Sequence, residues 1–122
     1  MTEIIANLFV GDLADARRGF DGIIINLLGD IPEGEPARAL WIPFLANGRA
    51  TLDSTAAIIG RALELGERVM VHCEEGCERA PLIVAWFLAT RRGFSLDEAY
   101  RLLKEKRPLV EDRRRWLGHL NR

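Results

Sequence analysis

The sequence is poor in the residues that mark several large protein classes. It has two cysteines, Cys73 and Cys77, among 122 residues. Thiols four positions apart make a poor structural cross-link, so a disulfide scaffold is not indicated and a reducing compartment fits. Histidine is as scarce. Only His72 and His119 could join the thiols around zinc, and His72 adjoins Cys73, which is awkward for one tetrahedral ion. No metal or other cofactor is expected. No apolar run approaches the roughly 18 to 20 residues of a membrane span. The start, Met1-Thr2-Glu3, lacks the basic and apolar segments of a secretory signal, which points to the cytoplasm. Neither sign of charge dominates: 17 basic residues face 18 acidic ones, for a formal net charge of −1. No overall basic field favours nucleic acid.

What remains is an ordinary globular composition, 48% apolar and 29% charged, of a size that suits one domain over residues 1–122. Ile4 to Val10 reads as a first strand, followed by a short helical turn over 12–18. The β-branched run from Gly22 to Leu28 has the pattern of a strand buried on both faces. Gly29 to Pro36 reads as a loop. Ala39 to Phe44 reads as a short strand whose Pro43 suits an edge or an end. Leu52, Ala56, Ile59 and Leu63 share one helix face, with Thr51 or Asp53 as the cap and Gly66 as the stop. Arg68 to His72 is another short buried strand. Pro81 opens a helix through about Arg91 that is apolar nearly all round, so it is buried. Ser95-Leu96-Asp97-Glu98 is a capping box before the stripe Leu96, Ala99, Tyr100 and Leu103, and Pro108 ends that helix. Asp112 to Leu120 reads as a last basic helix. Strands alternating with helices imply an α/β fold: a mostly parallel central sheet of about four to five strands flanked by helices. Ligands of such sheets sit at the carboxyl ends of strands, and the strand ending at His72 points at Cys73.

The segment Val71-His72-Cys73-Glu74-Glu75-Gly76-Cys77-Glu78-Arg79-Ala80-Pro81 runs strand, loop, helix. Physically it is an anion cradle around a nucleophile. Five residues between Cys73 and Arg79 can curl so that successive N–H groups point inward. Gly76 supplies the backbone freedom for a tight curl. The helix that follows adds the positive end of its dipole. This field is expected to lower the Cys73 pKa below its usual ~8.5, and the thiolate can then attack phosphorus. Arg79 offers a planar fork for two phosphate oxygens. Phosphate, sulfate or vanadate is the expected occupant of the 73–79 loop.

His-Cys, five residues, then Arg, between a Val-rich strand and an apolar helix, resembles the signature of cysteine-based protein tyrosine phosphatases, most closely the compact dual-specificity branch. The resemblance extends over nearly the whole chain. Ile5-Ala6-Asn7-Leu8-Phe9-Val10-Gly11-Asp12 is similar to the family's opening strand, Trp41-Ile42-Pro43-Phe44 to the strand before its general-acid loop, Ala80 to Trp86 to its central helix, and Arg107-Pro108 to a late turn. It implies Cys73 as nucleophile and a phosphocysteine intermediate without metal. It also implies a phosphate loop of Glu74, Glu75, Gly76, Cys77, Glu78 and Arg79, supported by His72. The implied partners are phosphorylated proteins carrying phosphotyrosine, phosphoserine or phosphothreonine, or small phosphate monoesters.

The sequence departs from the family in two places. The family's general acid, an aspartate, falls here on Ala46 or Asn47, neither of which is an acid. Asp53 is the nearest downstream carboxylate. Glu78 is a second candidate, since the phosphoinositide-directed myotubularin branch is similar in carrying an acid before the arginine. The carboxylates of the loop are expected to point outward. The second departure is Ala80, where most members place Ser or Thr. The regenerating-liver phosphatases are similar in this respect, and slow turnover with an accumulating intermediate is implied. Alternatives are a catalytically weak pseudophosphatase that binds phosphorylated partners, and a phosphoinositide or RNA phosphatase on the same fold. Cys77 reads as a small loop residue or as a resolving thiol for oxidised Cys73. Arg113-Arg114-Arg115 reads as a solvated helix face, or as a contact for an acidic substrate or a membrane surface.

Overall fold

A computed structural model describes residues 1–28, 39–43 and 49–119. Ala6 and Asn7 break the first apolar run, and the chain turns there. Asn7 adopts φ +68, a left-handed conformation that asparagine tolerates better than most residues, and its N–H donates to Glu3 Oε2 at 2.9 Å. One predicted strand is therefore an antiparallel hairpin of β1 (Thr2–Ile5) and β2 (Leu8–Gly11). Asp12 then caps the short helix α1 (Leu13–Arg18), and Asp15 reaches back to the Asp12 N–H to complete a capping box.

The remaining strands are β3 (Ile23–Asn26), β4 (Leu40–Trp41) and β5 (Val69–His72). The sheet runs β1-β2-β5-β3-β4, with every pair parallel except the opening hairpin. β4 lies at the edge, as Pro43 suggested, and is shorter than predicted; Gly29 to Pro36 and Phe44 lie outside the described residues. Alternation along the strands divides the core. Leu8, Val10, Ile25, Val69 and Val71 join the main core, while Ile24 and Met70 pack with Ala16 of α1, Phe9 and Phe20 in a second cluster.

The main core is closed by α2 (Arg49–Glu64), α3 (Arg79–Arg91) and α4 (Leu96–Lys106). α2 starts earlier than predicted, so Thr51 and Asp53 lie inside it and do not cap it. The Thr51 carbonyl accepts from the Thr55 hydroxyl, and the Asp53 carboxylate accepts from Trp86 Nε1 at 2.9 Å. α3 starts at Arg79 rather than Pro81, which leaves Pro81 in the first turn where its missing N–H costs nothing. Residues Ala80 to Leu88 are all buried, as their apolar run demanded, because α3 packs against both α2 and α4. Ser95 and Glu98 form the predicted capping box of α4. The predicted terminal helix is a short 3-10 helix, Arg114–His119.

This topology sets Gly11, His72 and Asn26, the last residues of β2, β5 and β3, side by side at one end of the sheet. The loop that begins at Cys73 leaves from that end and returns as α3.

Candidate active site

Cys73 stands immediately after the central strand and is 4% exposed. The backbone N–H of Ala80, at the start of α3, points at Cys73 Sγ from 3.5 Å. A helix N-terminus aimed at sulfur favours negative charge there. Behind the loop, His72 is fully buried, and its Nδ1 lies 3.3 Å from the Cys73 carbonyl oxygen, placed to donate to it.

The loop's carbonyls are held outward one after another. Leu13 N–H donates to Glu74 O at 3.0 Å, and Glu111 N–H to Cys77 O at 2.8 Å. Between them, Arg107 donates from Nη2 to Glu75 O at 3.2 Å and from Nε to Gly76 O at 2.9 Å. In a planar trans peptide the N–H points opposite the C=O. The N–H groups of residues 75 to 78 are thereby turned inward, the nest geometry that receives anions. Gly76 is required twice over. It adopts φ +68, and a Cβ there would stand 2.6 Å from the Gly11 carbonyl oxygen and 2.7 Å from Arg107 Nη2.

Cys73 and Arg79 line one cavity of about 250 Å³, with Glu74, Glu75, Cys77, Glu78 and Trp116 completing it. Arg79 donates to the Leu27 carbonyl at 3.5 Å, which holds the guanidinium across the end of β3. Glu74 and Glu75 are exposed to solvent and also line the cavity, so the expectation that the loop carboxylates all turn away from it is not established by their exposure. Glu78 is engaged: Arg113 Nε donates to its Oε2 at 2.9 Å. Cys77 is a buried free thiol whose pKa is pushed up to about 11, first by burial and then by Glu78, Cys73, Glu75 and Glu111. Among the described residues no group of three or more His, Cys, Asp or Glu is arranged to hold a metal.

Asp53 is not among the residues lining the cavity; its carboxylate faces Trp86. Ala46 and Asn47, where the family's acid would fall, lie outside the described residues. Of the basic triplet, Arg113 is bound to Glu78 and Glu111, Arg114 to Asp112 and Asp97, and Arg115 is exposed. Two of the three thus serve the fold. Sequence reasoning missed the roles of Arg107 and Trp116. Arg107 is 8% exposed and anchors two loop carbonyls and Thr2 Oγ1, yet its only signal was a place in an Arg-Pro turn. No local pattern distinguishes Trp116 from a packing aromatic.

A family model described as "Dual specificity phosphatase, catalytic domain" matches residues 31–122. The chain belongs to the dual specificity phosphatase family. Human dual specificity protein phosphatase 16 is 30% identical over 132 residues, spanning 98% of this chain. The match takes in 20% of that larger protein. A relative from Invertebrate iridescent virus 6, named as a candidate tyrosine phosphatase, is 28% identical over 117 residues, spanning 89% of the chain and 81% of its own length. In three dimensions the phosphatase fold is similar to the crystal structure of human dual specificity phosphatase 28. The TM-score is 0.79 at 21% identity, over 97% of this chain and 91% of that one. No described helix is long and apolar enough to cross a membrane.

Proposed function

We propose that the chain is a cysteine-dependent phosphatase that hydrolyses phosphate monoesters, with phosphotyrosine, phosphoserine or phosphothreonine in proteins as its substrate class. One observation carries the reading: the Cys73 sulfur and the Arg79 guanidinium share a cavity whose loop carbonyls are all tied outward, so inward N–H groups and a cation surround a nucleophile. The Cys73 thiolate attacks phosphorus; the S–P bond forms, the ester O–P bond breaks, and the ester oxygen departs with its electron pair as an alkoxide or phenoxide that takes its proton from water. Arg79 and the loop N–H groups bind the phosphoryl oxygens and follow their charge into the transition state. Water then attacks the phosphocysteine, the S–P bond breaks, and phosphate leaves with the thiolate restored.

Two features support slow turnover. At position 80 there is no hydroxyl to meet the departing thiolate, only the Ala80 N–H. Of the two carboxylates considered as acids, Glu78 lines the cavity but is held by Arg113, and Asp53 is turned to Trp86. A general acid supplies about 10²- to 10⁴-fold, most for poor leaving groups. Activated aryl phosphates should therefore be cleaved far faster than alkyl phosphates.

The test is a rapid-quench time course with para-nitrophenyl phosphate on the native protein and Cys73→Ser. The expected result is a burst near one equivalent followed by a slow steady rate, with both phases lost in Cys73→Ser by at least ~10³-fold and suppressed by orthovanadate. Steady release without a burst would move the limiting step to phosphoryl transfer. No Cys73-dependent release between about pH 5 and 8 would sink the enzyme reading in favour of a phosphate-binding module.

A further inference from the structure

The cavity holds more than a phosphoryl group. Its volume of about 250 Å³ compares with the ~30 Å³ share of one liquid water. That leaves room beyond a tetrahedral anion of five heavy atoms. The loop supplies most of the lining, with residues that are acidic, basic or thiol-bearing. Among the described residues that line it, the one large apolar surface is Trp116.

That indole is held in place from two sides. Its backbone N–H donates to the Arg113 carbonyl at 2.9 Å, and the Arg113 guanidinium lies over the ring, 5.6 Å from its centroid. Arg113 in turn is fixed to Glu78 of the loop and to Glu111. The 3-10 helix that carries Trp116 is thereby tied to the phosphate loop through Arg113, so the ring keeps its position relative to Cys73 and Arg79.

We propose that Trp116 determines specificity. Its indole is the wall against which the leaving group of a bound ester packs, and it tilts the site towards aryl phosphates such as phosphotyrosine over alkyl phosphates. This rests on the phosphatase reading above and adds the substrate class. The phosphoryl group occupies the loop, and the remaining space next to Trp116 takes the organic part. A planar ring gains both apolar burial and ring–ring contact there, whereas the methylene of a serine ester presents little surface.

Binding of phosphonates separates this from leaving-group chemistry, because no bond is broken. Calorimetry would compare phenylphosphonate with methylphosphonate on the native protein, Trp116→Phe and Trp116→Leu. The native protein should bind the phenyl compound roughly tenfold tighter or more. Trp116→Phe should keep that ratio and Trp116→Leu should bring it near one, with methylphosphonate affinity unchanged throughout. Equal loss of both ligands in Trp116→Leu would make Trp116 a packing residue only and overturn the proposal. So would a native protein with no phenyl preference, a measurement that needs no variant to fold. If neither phosphonate binds, the phosphate site itself falls, and this inference with it.

Discussion

At the scale of single residues, the two cysteines of one loop are set apart by their surroundings. Cys77 is buried beside carboxylates, and a thiol held up at about 11 stays protonated through the physiological range. Cys73 faces a helix N-terminus and an N–H donor. Iodoacetamide at pH 7 should therefore give a single adduct on Cys73 by peptide mapping, none in Cys73→Ser, and reach Cys77 only as pH rises towards 11. Comparable labelling of both thiols at pH 7 would contradict this account. The same protonation makes Cys77 a slow resolving thiol for oxidised Cys73, because disulfide exchange runs through the thiolate.

At the scale of elements, the phosphate loop keeps its shape through a side chain from the end of α4. Arg107 spans two carbonyls and a hydroxyl with one planar fork. A lysine places a single ammonium and cannot reproduce that spread. Arg107→Lys should lower kcat/KM by about 10²-fold through misplacement of the N–H groups. The hydrogen bonds lost should also depress Tm by several degrees. Gly76→Ala should be worse, since it adds a left-handed strain of ~1–3 kcal/mol to a backbone collision. Unaltered kinetics in both would mean the loop does not depend on these anchors. This dependence also explains what the sequence could and could not disclose. Cys73, Gly76 and Arg79 lie within seven consecutive positions between strand and helix, so their chemistry is written in local spacing. The strands and α3 were legible because burial on both faces or all round leaves continuous apolar runs. The hairpin at Ala6-Asn7 was not, because that dipeptide is a weak turn signal inside an apolar stretch. The start of α2 was misplaced because Thr51 and Asp53 have cap chemistry but sit in a helix that begins at Arg49. Arg107 and Trp116 were invisible for a different reason: what they do depends on partners far away in sequence.

At the scale of the whole molecule, acid stability should follow from carboxylates scattered over the fold. Burial resists ionisation of Asp15, but hydrogen bonds from the Asp12 N–H and the terminal amino group bring its pKa below the usual range. Asp112 is opposed by burial in the same way and brought low by Arg114. Such groups bind fewer protons in the folded state than in the unfolded one. Their contribution is complete above the unfolded value near 4 and is lost as pH falls through the lower folded value. The urea midpoint should decline steadily below about pH 4, and Asp112→Asn should shallow that decline. An unchanged slope in the variant would remove Asp112 from the account. A different consequence follows from the Arg107 guanidinium, whose third contact is the Thr2 hydroxyl at 2.8 Å. The loop's supports come from Thr2, Leu13, Arg107 and Glu111, so the earliest and latest parts of this sequence must meet before the anion cradle closes. During translation, a growing chain has already made Cys73 and Arg79 well before the ribosome adds the arginine that shapes the peptide between them. The cradle of a nascent chain should therefore take shape only after residue 107 has emerged and folded back.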